Sequence, residues 1–293
     1  MRCREVSDAV TEARVTAMTF GRYLMRLLTT LTLVLLVEAA GAAPKTKWTL
    51  AWSDEFNGPS DSAPDPAKWD YDLGGGGWGN HELEEYTKRP ENVAVDGHGR
   101  LAIRALCNSA GQYTSGRLKT QGRFATRYGR IEARIKVPYG QGIWPAFWML
   151  GSNIPTVGWP QSGEIDIMEN TGKEHSIVHA TVHGPGYSGG KGITAQTASK
   201  RNGKLSDRFH ICAVEWAPDS VVFFLDRKPY ARVTGRSLPA GAPWVFDQPF
   251  YLLLNVAVGG DWPGKPDQST QFPQTMLVDW VRVWQSAQPQ GKE

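Results

Sequence analysis

From Gly129 to Val137 the chain reads Gly-Arg-Ile-Glu-Ala-Arg-Ile-Lys-Val, with every second residue apolar. Side chains alternate across a strand, so Ile131, Ala133, Ile135 and Val137 share one buried face. Val221 to Leu225 and Phe250 to Leu254 read as strands buried on both sides, and Val278 to Trp284 as another rich in Val and Trp. Turn signals separate them: Asp96-Gly97, Pro138-Tyr139-Gly140 and Ala217-Pro218-Asp219. No long amphipathic 3.6-residue period competes, and only Pro66-Ala67-Lys68-Trp69 suggests a helical turn. Many short strands with almost no helix predict an all-β sandwich or barrel. Two curved antiparallel sheets packed face to face would leave one concave face as a cleft.

One strand carries chemistry. Glu164-Ile165-Asp166-Ile167-Met168-Glu169 puts three carboxylates within six residues. On a regular strand Glu164 and Asp166 share a face, and Glu169, five positions on, points away. If Ile167 or Met168 is taken up in a β-bulge, the phase slips by one and all three acids face the same way. Four effective steps would separate the outer Cα atoms by roughly 13 Å. Inward-leaning side chains on a bent strand can then bring the carboxyls to about 5–5.5 Å, the separation of a retaining glycosidase. Asp166 between them would favour a protonated neighbour, as a general acid needs. The competing reading is the charged outer face of an edge strand.

The 293 residues suit one large β domain, with no long linker and no internal repeat. Leu27 to Val37 is an apolar run preceded by Arg22 and Arg26 and followed by Ala40-Gly41-Ala42. That pattern predicts a secretory signal peptide over 1–42 and a single catalytic domain over 43–293. Met18 or Met25 would then be an alternative start after a misassigned extension, and an uncleaved N-terminal anchor stays open. The leader holds five Arg and four acids, so 27 basic residues face 25 acidic ones after it, a net +2. Such balance argues against a nucleic-acid partner. Cys107 and Cys212 remain, either bridged or as two separate thiols.

All twelve tryptophans follow residue 47. Trp52, Trp216, Trp280 and Trp284 have Val, Leu and Phe neighbours and read as core. Trp144 and Trp148 flank Ala146 on one extended face, where two rings could floor a groove for sugar stacking or simply fill a core. Trp159 and Trp78 read as loop residues at a rim. His179, Thr181 and His183 alternate with Ala180 and Val182 and so share a face. A metal pair is the weaker reading there, since no third ligand has the usual spacing. A cleft histidine, His183 above all, is preferred.

With Glu164 to Glu169 in place, the chain resembles family 16 glycoside hydrolases of the laminarinase type, secreted endo-β-1,3-glucanases with a β-jelly-roll fold. Trp78–Asn80, Gly129–Lys136, Gly142–Leu150, Gly163–Asn170, Thr181–Gly186, Asn255–Gly260, Trp262–Gly264 and Val278–Trp284 carry the likeness from about Trp48 to Trp284. The resemblance implies Glu164 as nucleophile, Glu169 as acid and base, and Asp166 as their assistant. Met168, as the extra residue, resembles the laminarinase branch. Trp144, Trp148 and Trp159 match sugar-stacking positions, and His183 a histidine near the cleaved bond. Asn80, Arg117 and Asn255 would line the cleft. No cofactor is implied for catalysis. A structural calcium is implied on the convex side, at main-chain oxygens of Glu55 and Gly99 with Asp279. The expected protein is a secreted monomer, free of membrane once the leader is lost, acting on β-1,3-glucan and also on mixed β-1,3/1,4 chains. The alternatives are a sister enzyme on a galactan and a non-catalytic β-glucan-binding protein. Cys212 and the acidic Glu84-Glu85-Tyr86 depart from the family pattern.

Overall fold

The computed structural model of the chain describes residues 46–199 and 203–286. The predicted leader, 1–42, lies outside the described residues. Strands follow one another as β1 (Trp48–Asp54), β2 (Asp70–Tyr71), β3 (Glu84–Tyr86), β4 (Val93–Val95), β5 (Leu101–Cys107) and β6 (Tyr113–Ser115). Next come β7 (Arg117–Lys119), β8 (Gly129–Lys136), β9 (Ile143–Gly151), β10 (Glu164–Glu169), β11 (Ile177–His183) and β12 (Ile193–Ala198). The last are β13 (His210–Ala217), β14 (Ser220–Leu225), β15 (Lys228–Thr234), β16 (Phe250–Val258) and β17 (Gln274–Ser286).

They build two sheets. One runs β15-β14-β13-β8-β17-β5-β6-β3, with β1 on β17 and β4 on β5; the other runs β12-β11-β10-β9-β16-β7-β2. Pairing is antiparallel except at β3 and β6, which run parallel. The strict alternation of β8 is kept, its apolar residues buried and its charged ones half-exposed. β16 sits between β9 and β7 and is buried throughout, its apolar run interrupted only by Asn255. Phe250, Leu252, Leu254, Val256 and Val258 enter the core between the sheets. Tyr251 and Leu253 point the other way and pack with Leu150 beneath Trp148. Each such apolar side chain, fully buried, contributes about 1.5–3 kcal/mol. The cleft floor therefore rests on a rigid double layer.

Some local expectations change. Trp216 is core, and Trp52 stacks on Phe124 at its margin. Trp280 and Trp284, however, lie half-buried on the outer face of β17. Val278, Val281 and Val283 take the core positions; the register slips between Val278 and Trp280, and that bulge turns both indoles outward. There Arg282 covers Trp280 at 4.2 Å, and Trp284 donates to Glu132 at 2.9 Å. Residues 66–69 form a turn closed on the Asp65 carbonyl, while a one-turn helix occupies Ile154–Val157. Cys107 is exposed, Cys212 is buried, and both are free thiols.

Candidate active site

β10 is bulged where the three acids require it. Against β9, Asp166 pairs with Trp148, Met168 with Phe147 and Glu169 with Ala146, so Ile167 is skipped. Against β11, Asp166 pairs with Thr181 and Glu169 with His179, so Ile167 and Met168 together face Ala180. Both of those side chains are fully buried. The slip brings Glu164, Asp166 and Glu169 to one cleft of about 890 Å³.

Trp144, Ala146 and Trp148 line the same cleft, as the four-residue spacing demands. Each outer acid has its own indole donor. Trp144 Nε1 donates to Glu169 Oε1 at 3.0 Å, and Trp159 Nε1 to Glu164 Oε2 at 2.8 Å. Trp159 remains 46% exposed, so its ring edge serves the acid while much of its face meets solvent. His183 Nε2 lies 3.2 Å from Asp166 Oδ2 and 3.9 Å from Glu164 Oε1. His179 also lines the cleft, but its Nε2 is held 2.8 Å from Glu174.

Three carboxylates this close and this buried cannot all stay charged. Burial and the Asp166 charge push Glu164 up to about 8, against the pull of His183 and Trp159. Burial, with the Glu164 charge behind it, pushes Glu169 up to about 7 against His183 and Trp144. Asp166 is raised well above the usual range by burial and the Glu169 charge. Near neutral pH the cluster therefore keeps protons, and its titration belongs to the group. Each outer acid has one indole donor and the pull of His183, so the pair shares its protons.

The other expected cleft residues also arrive there. Arg117 lies 4.7 Å from the rings of both Trp78 and Trp148 and is ion-paired with Asp72 at 2.9 Å. Asn255 accepts from Trp148 Nε1 at 2.7 Å, and Asn80 donates to Glu82 at 3.0 Å. Sequence reasoning assigned no role to Trp262 or Glu82, which also line the cleft. Trp262 packs edge-on against Trp144 and His179. A large aromatic in the turn Asp261-Trp262-Pro263-Gly264 was a usable signal.

Two places offer cation ligands. Glu164, Asp166 and His183 hold donor atoms within 4.8 Å of one another, a set that excludes His179 of the histidine pair. On the other sheet, the Glu55 carbonyl lies beside Gly99, 3.9 Å from where a Cβ would stand. The Glu55 carboxylate is tied to Arg282 at 2.8 and 2.9 Å, leaving that main-chain oxygen as the free donor. Asp279 is ion-paired with Arg134. All-oxygen donors suit a hard cation, and the Asp279 carboxylate would be shared with the guanidinium.

Paired acids on a groove floor, each met by an indole, define a site built for glycosidic bonds. The model of glycosyl hydrolases family 16 matches residues 82–282. The chain is 44% identical to a beta-glucanase of Rhodothermus marinus over 248 residues, 81% of this chain and 85% of that one. It is 35% identical to glucan endo-1,3-beta-glucosidase A1 of Niallia circulans, covering 80% of this chain and 37% of that longer protein. The laminarinase catalytic domain of Thermotoga petrophila matches with a TM-score of 0.77 at 45% identity, over 83% of this chain and 100% of that one. The chain belongs to glycosyl hydrolases family 16 and is a glycoside hydrolase with a β-jelly-roll fold.

Proposed function

We propose that this glycoside hydrolase is a retaining endo-β-1,3-glucanase of the laminarinase type that also accepts mixed β-1,3/1,4-glucans. The observation that carries the reading is the bulge in β10, with Glu164 and Glu169 on one cleft face and a separate indole N–H on each. The names of the relatives, a beta-glucanase and two endo-1,3-β-glucanases, support the substrate.

Glu164 is the carboxylate that attacks the anomeric carbon, the role the family resemblance implies for it. Glu169 gives its proton to the glycosidic oxygen as that bond breaks, leaving an ester between Glu164 and the sugar. Glu169, now charged, takes a proton from water; the water oxygen attacks the same carbon and frees Glu164 with net retention. Asp166, packed beside Glu164, limits the number of charges the cluster can carry. Trp144, Trp148 and Trp159 stack on glucosyl rings, and His183 sits at the cleaved bond. Asn80, Arg117 and Asn255 complete the groove wall.

The rest of the reading is a protein exported through its 1–42 leader, working as a monomer away from membranes, with polysaccharide as its partner and no cofactor in the chemistry. Calcium at Glu55, Gly99 and Asp279 would tie loops together and stabilise the fold. Chelation should then lower the melting temperature without lowering kcat at moderate temperature. Reducing-sugar release from laminarin, curdlan, lichenan and agarose tests the substrate. Laminarin and curdlan should be cleaved, lichenan more slowly, and agarose not at all. Cleavage of agarose in preference to laminarin would replace the glucan with a galactan.

A further inference from the structure

A second group of buried carboxyls lies along the cleft, outside the chemistry. Glu82, Glu84 and Tyr86 alternate with the exposed Leu83 and Glu85, so all three point inward. Both oxygens of Glu82 are engaged as acceptors: Oε1 from Asn80 Nδ2 and Oε2 from the Tyr86 hydroxyl, each at 3.0 Å. The Tyr86 oxygen in turn accepts from Asn255 Nδ2 at 3.1 Å, and Asn255 Oδ1 accepts from Trp148 Nε1 at 2.7 Å. The chain of bonds runs along the groove wall through Trp148, Asn255, Glu82 and Asn80, with the buried Tyr86 behind it. Both ends line the cleft. Trp148 is also faced by the Arg117 guanidinium, so its indole is fixed on one side by a cation and at its edge by this chain. Glu84 accepts from the Val258 N–H at 2.6 Å; burial and the Glu82 charge push it up to about 8.

Resting on the glucanase reading above, we propose that Glu82 is a positioning residue for the glucan: its carboxylate anchors a relay through Tyr86 and Asn255 that fixes Trp148 as a stacking platform, and it holds Asn80 on its other oxygen. The relay acts on sugar units away from the cleaved bond. It therefore sets affinity for long chains and leaves the bond-breaking step alone. Glutamate is required because each oxygen must accept. A glutamine would turn an N–H toward Asn80 or Tyr86 and break one link.

Glu82→Gln and Tyr86→Phe, which cuts the next link, test the relay on a long β-1,3-oligosaccharide and on a short activated aryl glycoside. For the long substrate KM should rise about tenfold in each variant with kcat within about twofold, the size of one lost hydrogen bond to a charged group. The short substrate should change little. The Trp148 indole N–H resonance, assigned by its loss in Trp148→Phe, should move upfield in both variants. An unmoved resonance with an unchanged KM overturns the proposal, and so does an equal loss of kcat on both substrates. If Glu82→Gln does not fold, Tyr86→Phe decides alone. A parent that hydrolyses no β-1,3-glucan sinks the functional reading instead, and the indole resonance still decides the relay.

Discussion

Glu164, Asp166 and Glu169 in the cleft, and Glu82 on its wall with Glu84 buried beside it, are both groups of acids on a strand or its extension. Burial and mutual repulsion raise Glu164 and Glu169 in one group and Glu84 in the other. They differ in what their oxygens meet. The first group receives two indole N–H donors and a histidine across an open groove. In the second, the Glu82 oxygens go to Asn80 and the Tyr86 hydroxyl, while Glu84 takes the Val258 N–H. A buried, proton-holding acid becomes reactive where its oxygen can reach a substrate and becomes a fixture where its oxygens are held by the protein's own donors.

The largest effect that could break this comparison is on kcat. Glu164→Gln and Glu169→Gln should each cost about 10³-fold or more on laminarin with the fold retained, since each removes a reacting group. Equal kcat in parent and variants would remove the mechanism. Gly192→Ala comes next. A Cβ there would stand 2.5 Å from His183 Cε1 and 2.7 Å from Thr181 Cγ2, so the imidazole must swing from Asp166. We expect kcat/KM to fall about tenfold, roughly the 1.4 kcal/mol of one displaced polar contact. The pH profile sharpens the assignment further. Activity should require one proton shared between Glu164 and Glu169, giving a bell-shaped profile whose limbs belong to the pair. The acidic limb should move to lower pH in Asp166→Asn, because the Asp166 charge raises Glu164.

The smallest effect is on stability, and there the two groups should agree. A carboxyl raised in the folded state binds more protons than its unfolded counterpart between about 4.5 and its folded pKa. Stability is thus fully present below that window and is lost as pH climbs through it. For Glu164 and Glu84 the window closes at about 8. Glu164→Gln and Glu84→Gln should each raise the melting temperature at pH 8 by about 2–4 °C and much less at pH 4. Thermal scans at the two pH values check this. Matching gains with kcat lost only at Glu164 would separate reactive from fixed acids.

Much of this was legible in local patterns. The strict alternation of Gly129–Val137 identified β8, and the offset between Asp166 and Glu169 required a bulge before any partner strand was known. Trp144 and Trp148 declared a shared face by their spacing. Trp280 and Trp284 misled because valine-rich surroundings suggested core; Trp280 is in phase with the buried Val278, and only the bulge between them turns it outward. The relay was not legible. Tyr86 and Asn255 are 169 positions apart, and Glu84 meets Val258 across 174. Nothing local in Glu82-Leu83-Glu84 distinguishes a buried acid from a solvated edge until β16 is laid beside it. The parallel pairing of β3 with β6 escaped for the same reason.

The central claim is that Glu164, and not its neighbours on the bulged strand, forms the bond to the sugar. A slow β-glucosyl substrate with fluorine at carbon 2 should trap that ester, and peptide mass spectrometry after digestion locates it. The account predicts one adduct, on Glu164, formed in the parent and absent in Glu164→Gln. An adduct on Asp166 or Glu169, or turnover with inversion and no adduct at all, would contradict it.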